Sequence, residues 1–130
     1  MRVSAGDRIP PLSRRVSQAD IDRYAEASGD HNAIHLDPGF ARAAGLPGTI
    51  AHGLLEMAIL AEAVGRWAGG ERLTRLTCRF SKPLRAGDTI TCSGHVVAVG
   101  EATADLELEA TSDRNERVLT HGRATVRLAG

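Results

Sequence analysis

Two side chains that can exchange protons lie five positions apart in the stretch SGDHNAIHLD, residues 28–37. Asp30 supplies a carboxylate and His35 an imidazole, two groups that enzymes commonly use as general acid and base. The stretch is predicted to be neither helix nor strand, and an irregular loop can bring both side chains to one point. A water molecule is a suitable reaction partner for such a pair.

Each of these residues also has a common structural use. An aspartate ahead of a helix often caps it, and a histidine in a loop is often solvated or hydrogen-bonded. Asn32, which lies between the two, belongs to a residue type that satisfies nearby backbone groups in turns. The pattern alone therefore leaves both catalysis and loop structure open for Asp30, Asn32 and His35.

The stretch TIAHGLL, residues 49–55, places Gly53 at the predicted start of a buried helix. The first amides of a helix have no partner within the helix and lie at its positive end. Because glycine has no side chain, a ligand carbonyl can approach its backbone closely, and the Gly53 N–H is a candidate oxyanion donor. A purely structural glycine at the helix start is the alternative.

Cap residues predict where the helices around this region begin. Ser17 with Asp20 fits a capping box, and Asp37 followed by Pro38 fits a second helix start. Glycine follows each predicted helix and ends it. The predicted helices are Gln18–Ser28, Pro38–Ala44 and His52–Ala68.

The longest predicted helix is apolar around most of its circumference. Leucine, isoleucine, alanine and valine fill the stretch from Leu54 to Ala68 well beyond one narrow stripe. Such a helix is expected to be largely buried. Glu56 is a polar exception near its start, and we expect it at the solvent or subunit edge of the helix.

After this helix the apolar period changes to two. Leu106 and Leu108 alternate with Glu107 and Glu109, the pattern of a strand with one dry and one wet face. Short turns join four such runs, which predicts an antiparallel meander. The fold class is α+β, one domain over residues 1–130 with a curved antiparallel sheet wrapped around a long central helix. A free sheet edge is expected to pair with a second copy. The predicted strands cover residues 76–80, 90–99, 102–111 and 118–128.

The balance of charge argues against several partners. Sixteen basic and sixteen acidic residues give a formal net charge of zero, so no overall field draws the chain onto nucleic acid or an anionic membrane. The N-terminus lacks a continuous apolar run and the central helix carries charges, so neither secretion nor membrane spanning is predicted. We expect a cytoplasmic protein in which Cys78 and Cys92 are buried and reduced. His95 and His121 lack neighbours at metal-ligand spacing, and no metal site is predicted.

The residues around the pair also carry a family resemblance. The stretch YAEASGDHNAIHLDPGFA, residues 24–41, followed by GTIAHGLL, resembles the signature of the MaoC-like (R)-specific enoyl-CoA hydratases and the related 3-hydroxyacyl-thioester dehydratases of the hot-dog fold. The later RFSKPLRAGDT resembles the strand and turn after the family's central helix. The resemblance runs from about Ser17 through the last strand. The matched signature positions are Ser28, Gly29, Asp30, Asn32, Ile34, His35 and Ala41.

This resemblance implies a hydro-lyase that adds water across a trans-2-enoyl thioester and runs the reverse dehydration. Asp30 and His35 would hold the water and share the acid and base roles, and the Gly53 N–H would bind the thioester oxygen. Asn32 would shape the loop, and no metal or redox cofactor is implied. The substrate-binding candidates are Asn32, His52, Arg79 and Lys82.

The implied partner is an acyl thioester of coenzyme A or of acyl carrier protein. Arg79, Lys82 and Arg85 form a basic cluster that can meet coenzyme A phosphates, with a solvated surface as the alternative. A homodimer is expected because pairing of strand edges would continue the sheet, and a heterodimer remains open.

Three positions depart from the family pattern. Ala33 stands where the family usually has proline, which loosens the loop because proline would restrict both its own φ and the preceding residue. Ala27 replaces a commonly larger aliphatic residue. Ala61 stands where some members have a serine that supports the aspartate, so any such support must come from elsewhere.

Two other functions compete with hydration. Thioesterases of the same fold often use a carboxylate on the central helix, and Glu56 is in that helix. A non-catalytic subunit that binds acyl thioesters within a heteromeric dehydratase is the third possibility. The presence of both Asp30 and His35 argues against each of these alternatives.

Overall fold

Helices fill the first half of the chain and long strands the second half, as the periodicity predicts. The computed structural model describes residues 2–128. A single turn of 3-10 helix, Gly70–Arg72, follows the longest helix. The elements are β1 (Leu12–Arg15), α1 (Gln18–Ser28), α2 (Ala33–Leu36), α3 (Pro38–Ala43), α4 (Gly53–Ala68), β2 (Leu73–Phe80), β3 (Thr89–Val99), β4 (Thr103–Ser112) and β5 (Arg117–Arg127).

The five strands form one antiparallel sheet in the order β1-β3-β4-β5-β2. Only β3, β4 and β5 form the predicted meander. The prediction that β2 also belongs to it is wrong, because β2 pairs with β5, for example Leu76 with Ala124. Residues 81–88 therefore carry the chain from one side of the sheet to the other, and β1 and β2 are its two edges.

The sequence pattern gives no strand at β1, yet Leu12 pairs with Cys92 and Arg15 pairs with Thr89 of β3. Four residues are too few for an alternating pattern to stand out from the surrounding chain. This short strand closes one edge of the sheet and leads directly into α1.

Helix α4 packs against the sheet through one face. Leu60 and Val64 are completely buried on that face. The expectation of a largely buried helix is correct for this face and wrong for the opposite one, where Leu54 is 62% exposed and Ala58 is exposed. The sheet lies along one side of α4 only, which leaves these apolar side chains uncovered. The sheet residues that share the core are Leu12, Ile90, Cys92, Val96, Ala104, Leu106, Leu108, Ala110, Val118, Leu119, Ala124 and Val126.

Glu56 departs from expectation in the opposite direction. It is only 5% exposed and lies on the buried face of α4. The predicted place at a solvent or subunit edge is wrong, because residue 56 is four positions before Leu60 and points to the same side of the helix. A carboxyl group is therefore enclosed between α4 and the sheet.

The predicted helix caps are present. The Ser17 hydroxyl accepts a hydrogen bond from the Asp20 N–H, and the Asp20 carboxylate accepts one from the Ser17 N–H. Gly29 ends α1 with φ of 78°, a backbone conformation that favours glycine. Asp37 caps α3, and Pro38 is its first residue.

The prediction of two buried, reduced cysteines holds in part, and the helices can also be compared with the length that a membrane span needs. Cys78 and Cys92 are both free, and Cys92 is buried, but Cys78 is only half-buried. Among residues 2–128, none of the helices combines the length and the apolar character needed to cross a bilayer.

Candidate active site

The loop that carries Asp30 is built from hydrogen bonds between near neighbours. The Ser28 hydroxyl accepts from the Asp30 N–H, the Asp30 carboxylate accepts from the Asn32 N–H, and the Asn32 side chain accepts from the Ile34 N–H. Asn32 thereby caps α2. The prediction that the stretch contains no helix is wrong, because this cap starts one helical turn that carries His35.

The His35 ring is held by a hydrogen bond from its buried nitrogen to the protein backbone. Its side chain is almost fully buried, and its Nδ1 lies 2.8 Å from the carbonyl oxygen of Ile50. Because a carbonyl oxygen only accepts, Nδ1 carries a proton, and in the neutral ring Nε2 is then the acceptor atom. The backbone is fixed as well, since the Gln18 amide donates to the His35 carbonyl and itself accepts from the Thr49 hydroxyl.

Asp30 and His35 come together as the spacing predicts. His35 Nε2 is 3.9 Å from Asp30 Oδ2, which is beyond direct hydrogen-bond distance. The Asp30 side chain is 53% exposed whereas the His35 ring is enclosed, so the pair lies where the surface meets the interior. Both facing atoms are hydrogen-bond acceptors in this tautomer, and the arrangement fits a ligand that offers two donors.

A third polar side chain, His52, lies directly behind the pair. It is 2% exposed, and its Nε2 lies 3.0 Å from the carbonyl oxygen of Asp30. Its ring stacks on that of His35 with 3.8 Å between centroids, and the Tyr24 ring lies 4.8 Å away at a tilt. Burial lowers the pKa of His52, and the nearby His35 adds to this effect.

These three residues also offer atoms of the kinds that bind metal ions. One ligand atom from each of Asp30, His35 and His52 lies within 4.8 Å of the others. The two imidazole planes, however, are inclined by only 25°. A metal binds imidazole nitrogen in the ring plane at about 2.0–2.1 Å, and two nearly parallel planes do not meet so close to the rings. This ring arrangement does not fit a shared metal ion.

Gly53 follows His52 and is the first residue of α4. The ring of Phe80, at the end of β2, covers it so closely that a Cβ at this position would lie 2.9 Å from the ring. A side chain at position 53 would therefore displace the Phe80 ring, which is 53% exposed, and glycine leaves room for it while offering an amide at the helix start. Arg79 and Lys82 flank this end of β2 and are exposed at the surface.

The buried Glu56 lies one turn further along α4. Burial raises the pKa of its carboxyl group to about 8, so it is largely uncharged at neutral pH. Its Oε1 has no hydrogen-bond partner among the described residues. A buried carboxylic acid of this kind is a candidate functional group, because perturbed titration is frequent at active sites.

The structure thus brings together Asp30, His35 and His52, and Gly53 directly follows His52 in the chain. Sequence reasoning does not find Gln18, because no local pattern distinguishes it from an ordinary helix position. Tyr24 begins the quoted family signature, but the sequence assigns it no role at the site. Both residues reach the site from α1. Arg79 and Lys82 lie on a different element, and the structure gives them no contact that assigns them to substrate binding.

A central helix on a five-stranded antiparallel sheet, with Asp30 and His35 facing each other near the helix start, is the architecture of a hot-dog domain. The MaoC-like domain family matches residues 5–117. The chain belongs to this family.

The similar proteins are hydro-lyases by their names. The chain is 38% identical over 104 residues to 3-hydroxyacyl-thioester dehydratase X of Mycobacterium tuberculosis, which covers 78% of this chain and 35% of that protein. It is 32% identical over 92 residues to an (R)-specific enoyl-CoA hydratase of Aeromonas caviae, which covers 69% of each. The chain therefore spans about a third of the first relative and about two thirds of the second.

Solved structures agree on the fold. The (R)-hydratase from A. caviae involved in PHA biosynthesis matches with a TM-score of 0.88 at 27% identity, over 98% of each chain. A chain of the ChsH1-ChsH2 complex from Mycobacterium tuberculosis matches with a TM-score of 0.84 at 25% identity, again over 98% of each chain. These likenesses confirm the α+β hot-dog prediction.

Proposed function

We propose that this protein hydrates trans-2-enoyl thioesters to (R)-3-hydroxyacyl thioesters and catalyses the reverse dehydration. The observation that carries the proposal is the 3.9 Å separation between Nε2 of the buried His35 ring and Oδ2 of the half-exposed Asp30 side chain. The similarity to named hydratases and dehydratases supports the class of reaction.

The tautomer of His35 explains why water suits this site. With the proton on Nδ1, the ring presents a lone pair to a carboxylate oxygen that is also an acceptor. One water molecule that donates to both atoms satisfies them together. Its oxygen lone pairs then remain available to attack carbon.

The reaction follows from this placement. The water oxygen forms a bond to Cβ, and the π electrons of the alkene move through Cα onto the thioester oxygen. Asp30 or His35 accepts the proton that water loses, and the pair returns a proton to Cα. The Gly53 N–H, at the positive end of α4, would stabilise the enolate-like oxygen. Dehydration is the same path in reverse.

The carrier of the acyl group is proposed from charge alone. Arg79 and Lys82 are exposed close to Phe80, and the Phe80 ring covers Gly53. Two cations therefore lie near the start of α4, where the thioester would bind. Phosphate groups of coenzyme A or of a carrier-protein prosthetic arm are suitable anions for them.

A homodimer is proposed from the free sheet edge. Strand β2 pairs with β5 on one side only, and four polar side chains of this strand are exposed, namely Thr74, Arg75, Thr77 and Arg79. Pairing of two β2 strands would continue the sheet. A heterodimer is the alternative, since one structural neighbour is named as a complex of two different chains.

Thioester hydrolysis is the second candidate function. The observation that favours it is the buried Glu56 carboxyl group, with its pKa raised to about 8 and one oxygen without a partner among the described residues. This mechanism would leave the arrangement of Asp30 and His35 without a role.

The test follows the enoyl-thioester absorbance with crotonyl-CoA and longer trans-2-enoyl-CoA substrates, with thiol release recorded in parallel. We expect hydration by the wild type and a loss of at least ~100-fold in kcat for Asp30→Asn and for His35→Ala, because each removes one proton-transfer group. Glu56→Gln serves as the matched carboxyl control and should keep hydration. Thiol release that persists in the first two variants and disappears in Glu56→Gln would favour hydrolysis instead.

A further inference from the structure

The side chain of His52 is turned away from the helix that it begins. The other three helices are each capped by a side-chain hydrogen bond, made by Ser17 for α1, Asn32 for α2 and Asp37 for α3. His52 is the N-cap residue of α4, yet its side chain makes no hydrogen bond to the helix amides. A buried polar ring at this position must therefore be explained by its contacts with other elements.

Those contacts join His52 to both members of the pair. Its Nε2 lies 3.0 Å from the Asp30 carbonyl oxygen, which fixes the backbone of an otherwise exposed loop. Its ring stacks on His35 with 3.8 Å between centroids. Tyr24 contacts the same ring from α1. Asp30 lies just before α2 and His35 lies within it, and His52 contacts the backbone carbonyl of the first and the ring of the second.

We propose that His52 is a positioning residue, whose neutral imidazole holds the Asp30 backbone and the His35 ring at the separation that a shared water requires. The inference rests on the proposed function, because it assigns to His52 the geometry on which hydration depends. It replaces the sequence-based assignment of His52 to substrate binding, which would require an accessible ring.

The hydrogen bonds define the protonation state that this role needs. Because the Asp30 carbonyl oxygen only accepts, Nε2 of His52 carries the proton. Nδ1 is buried without a partner among the described residues, so a second proton there would have no acceptor. The groups that influence this ring from neighbouring segments are His35, His31, Asp30 and Tyr24. A neutral His52 also allows His35 to become protonated during turnover without a second positive charge stacked against it.

The test compares two substitutions of similar volume. His52→Gln keeps an N–H that can reach the Asp30 carbonyl, whereas His52→Leu fills the space without a donor. We expect His52→Leu to lower kcat on crotonyl-CoA by about 100-fold with little change in KM, because a misplacement near 1 Å is enough for such a loss. His52→Gln should restore most of this activity. Circular dichroism and thermal unfolding verify that both variants are folded.

Two kinetic outcomes would overturn the proposal. Unchanged kcat in a folded His52→Leu variant would show that the pair is held without the ring. A rise in KM with kcat unchanged would place His52 in contact with substrate, as the sequence analysis expects, and not in a positioning role.

A second readout does not require activity. Imidazole ¹⁵N spectra of the full chain between pH 6 and 8 should show His52 protonated at Nε2 and His35 protonated at Nδ1. In His52→Leu, amide exchange of residues 30–32 should accelerate because the Asp30 carbonyl is released. If these signatures are present but the wild type hydrates none of the substrates, the proposed function fails while the placement of the pair by His52 stands. A His52 ring protonated at Nδ1 would contradict the placement itself.

Discussion

Two carboxyl groups near the start of α4 differ in environment and therefore in chemistry. The Asp30 side chain is half-exposed at the rim and accepts a backbone hydrogen bond from Asn32. Glu56 is enclosed between α4 and the sheet, where the pKa of its carboxyl group rises to about 8 because of burial. The exposed Asp30 side chain can meet a ligand at the rim, whereas at neutral pH the Glu56 carboxyl group is mainly an uncharged acid.

The burial of Glu56 predicts an unusual dependence of stability on pH. Its folded-state pKa lies above the ordinary value of 4.5, so between about pH 4.5 and 8 the folded state holds a proton that the unfolded state has lost. The free energy of unfolding contributed by this group therefore falls as pH rises through that window, by at most about 1.4 kcal/mol per pH unit. Glu56→Gln should abolish this fall, so the variant gains relative to the wild type with increasing pH.

Urea unfolding at pH 5, 6, 7 and 8 measures the effect. Glu101→Gln is the matched control, since Glu101 is exposed and the change removes one carboxylate without altering the interior. Stability curves of Glu56→Gln and wild type that run parallel across these pH values would contradict the buried-acid assignment.

At the residue scale the sequence predicts what is local. Asp30, Asn32 and His35 lie within six consecutive positions, so their proximity follows from spacing alone. His52 contacts the Asp30 backbone from 22 positions away, and Gln18 contacts the His35 carbonyl from 17 positions away. Such contacts depend on how helices and sheet pack, which a pattern along the chain does not contain.

At the scale of elements, the cap residues predict the helix starts correctly, whereas the alternating pattern does not predict the order of the strands. The starts of α1 and α3 were found because their capping hydrogen bonds join residues within three positions. α2 was missed because one turn has no periodicity. The pairing of β2 with β5 was missed because alternation identifies a strand and its faces but not its partner.

Strands β4 and β5 approach each other so closely at one glycine that adding a single methyl group there should destabilise the fold. Gly122 of β5 faces Leu108 of β4, and a Cβ at Gly122 would lie 2.5 Å from the Leu108 carbonyl oxygen. Because backbone atoms on a central strand cannot move aside easily, Gly122→Ala should lower the free energy of unfolding by about 3 kcal/mol.

Thermal or urea unfolding of the variant provides the measurement. Gly48→Ala is the matched control, since an added Cβ at Gly48 meets nothing within 4 Å and its φ is not positive. Equal stabilities of the two alanine variants would show that β4 and β5 are separated more widely than described.

At the scale of the whole molecule, one surface combines a free sheet edge with exposed apolar side chains. Strand β2 is an edge strand, Phe80 at its end is 53% exposed, and Leu54 lies next to the glycine that Phe80 covers. Ala58 continues this uncovered side of α4. Large apolar side chains beside a free strand edge are typical of an interface between chains.

This surface predicts a dimer that one charge can dissociate. Light scattering should give about twice the 13.8 kDa of one chain for the wild type. Leu54→Asp would bury an unpaired carboxylate at the interface, and the dimer dissociation constant should rise by about 100-fold or more. Val99→Asp is the control, because Val99 is also an exposed apolar residue but lies on β3, away from the β2 edge. A monomeric wild type, or dissociation caused equally by Val99→Asp, would contradict pairing through β2 and α4 and would direct attention to a different partner chain.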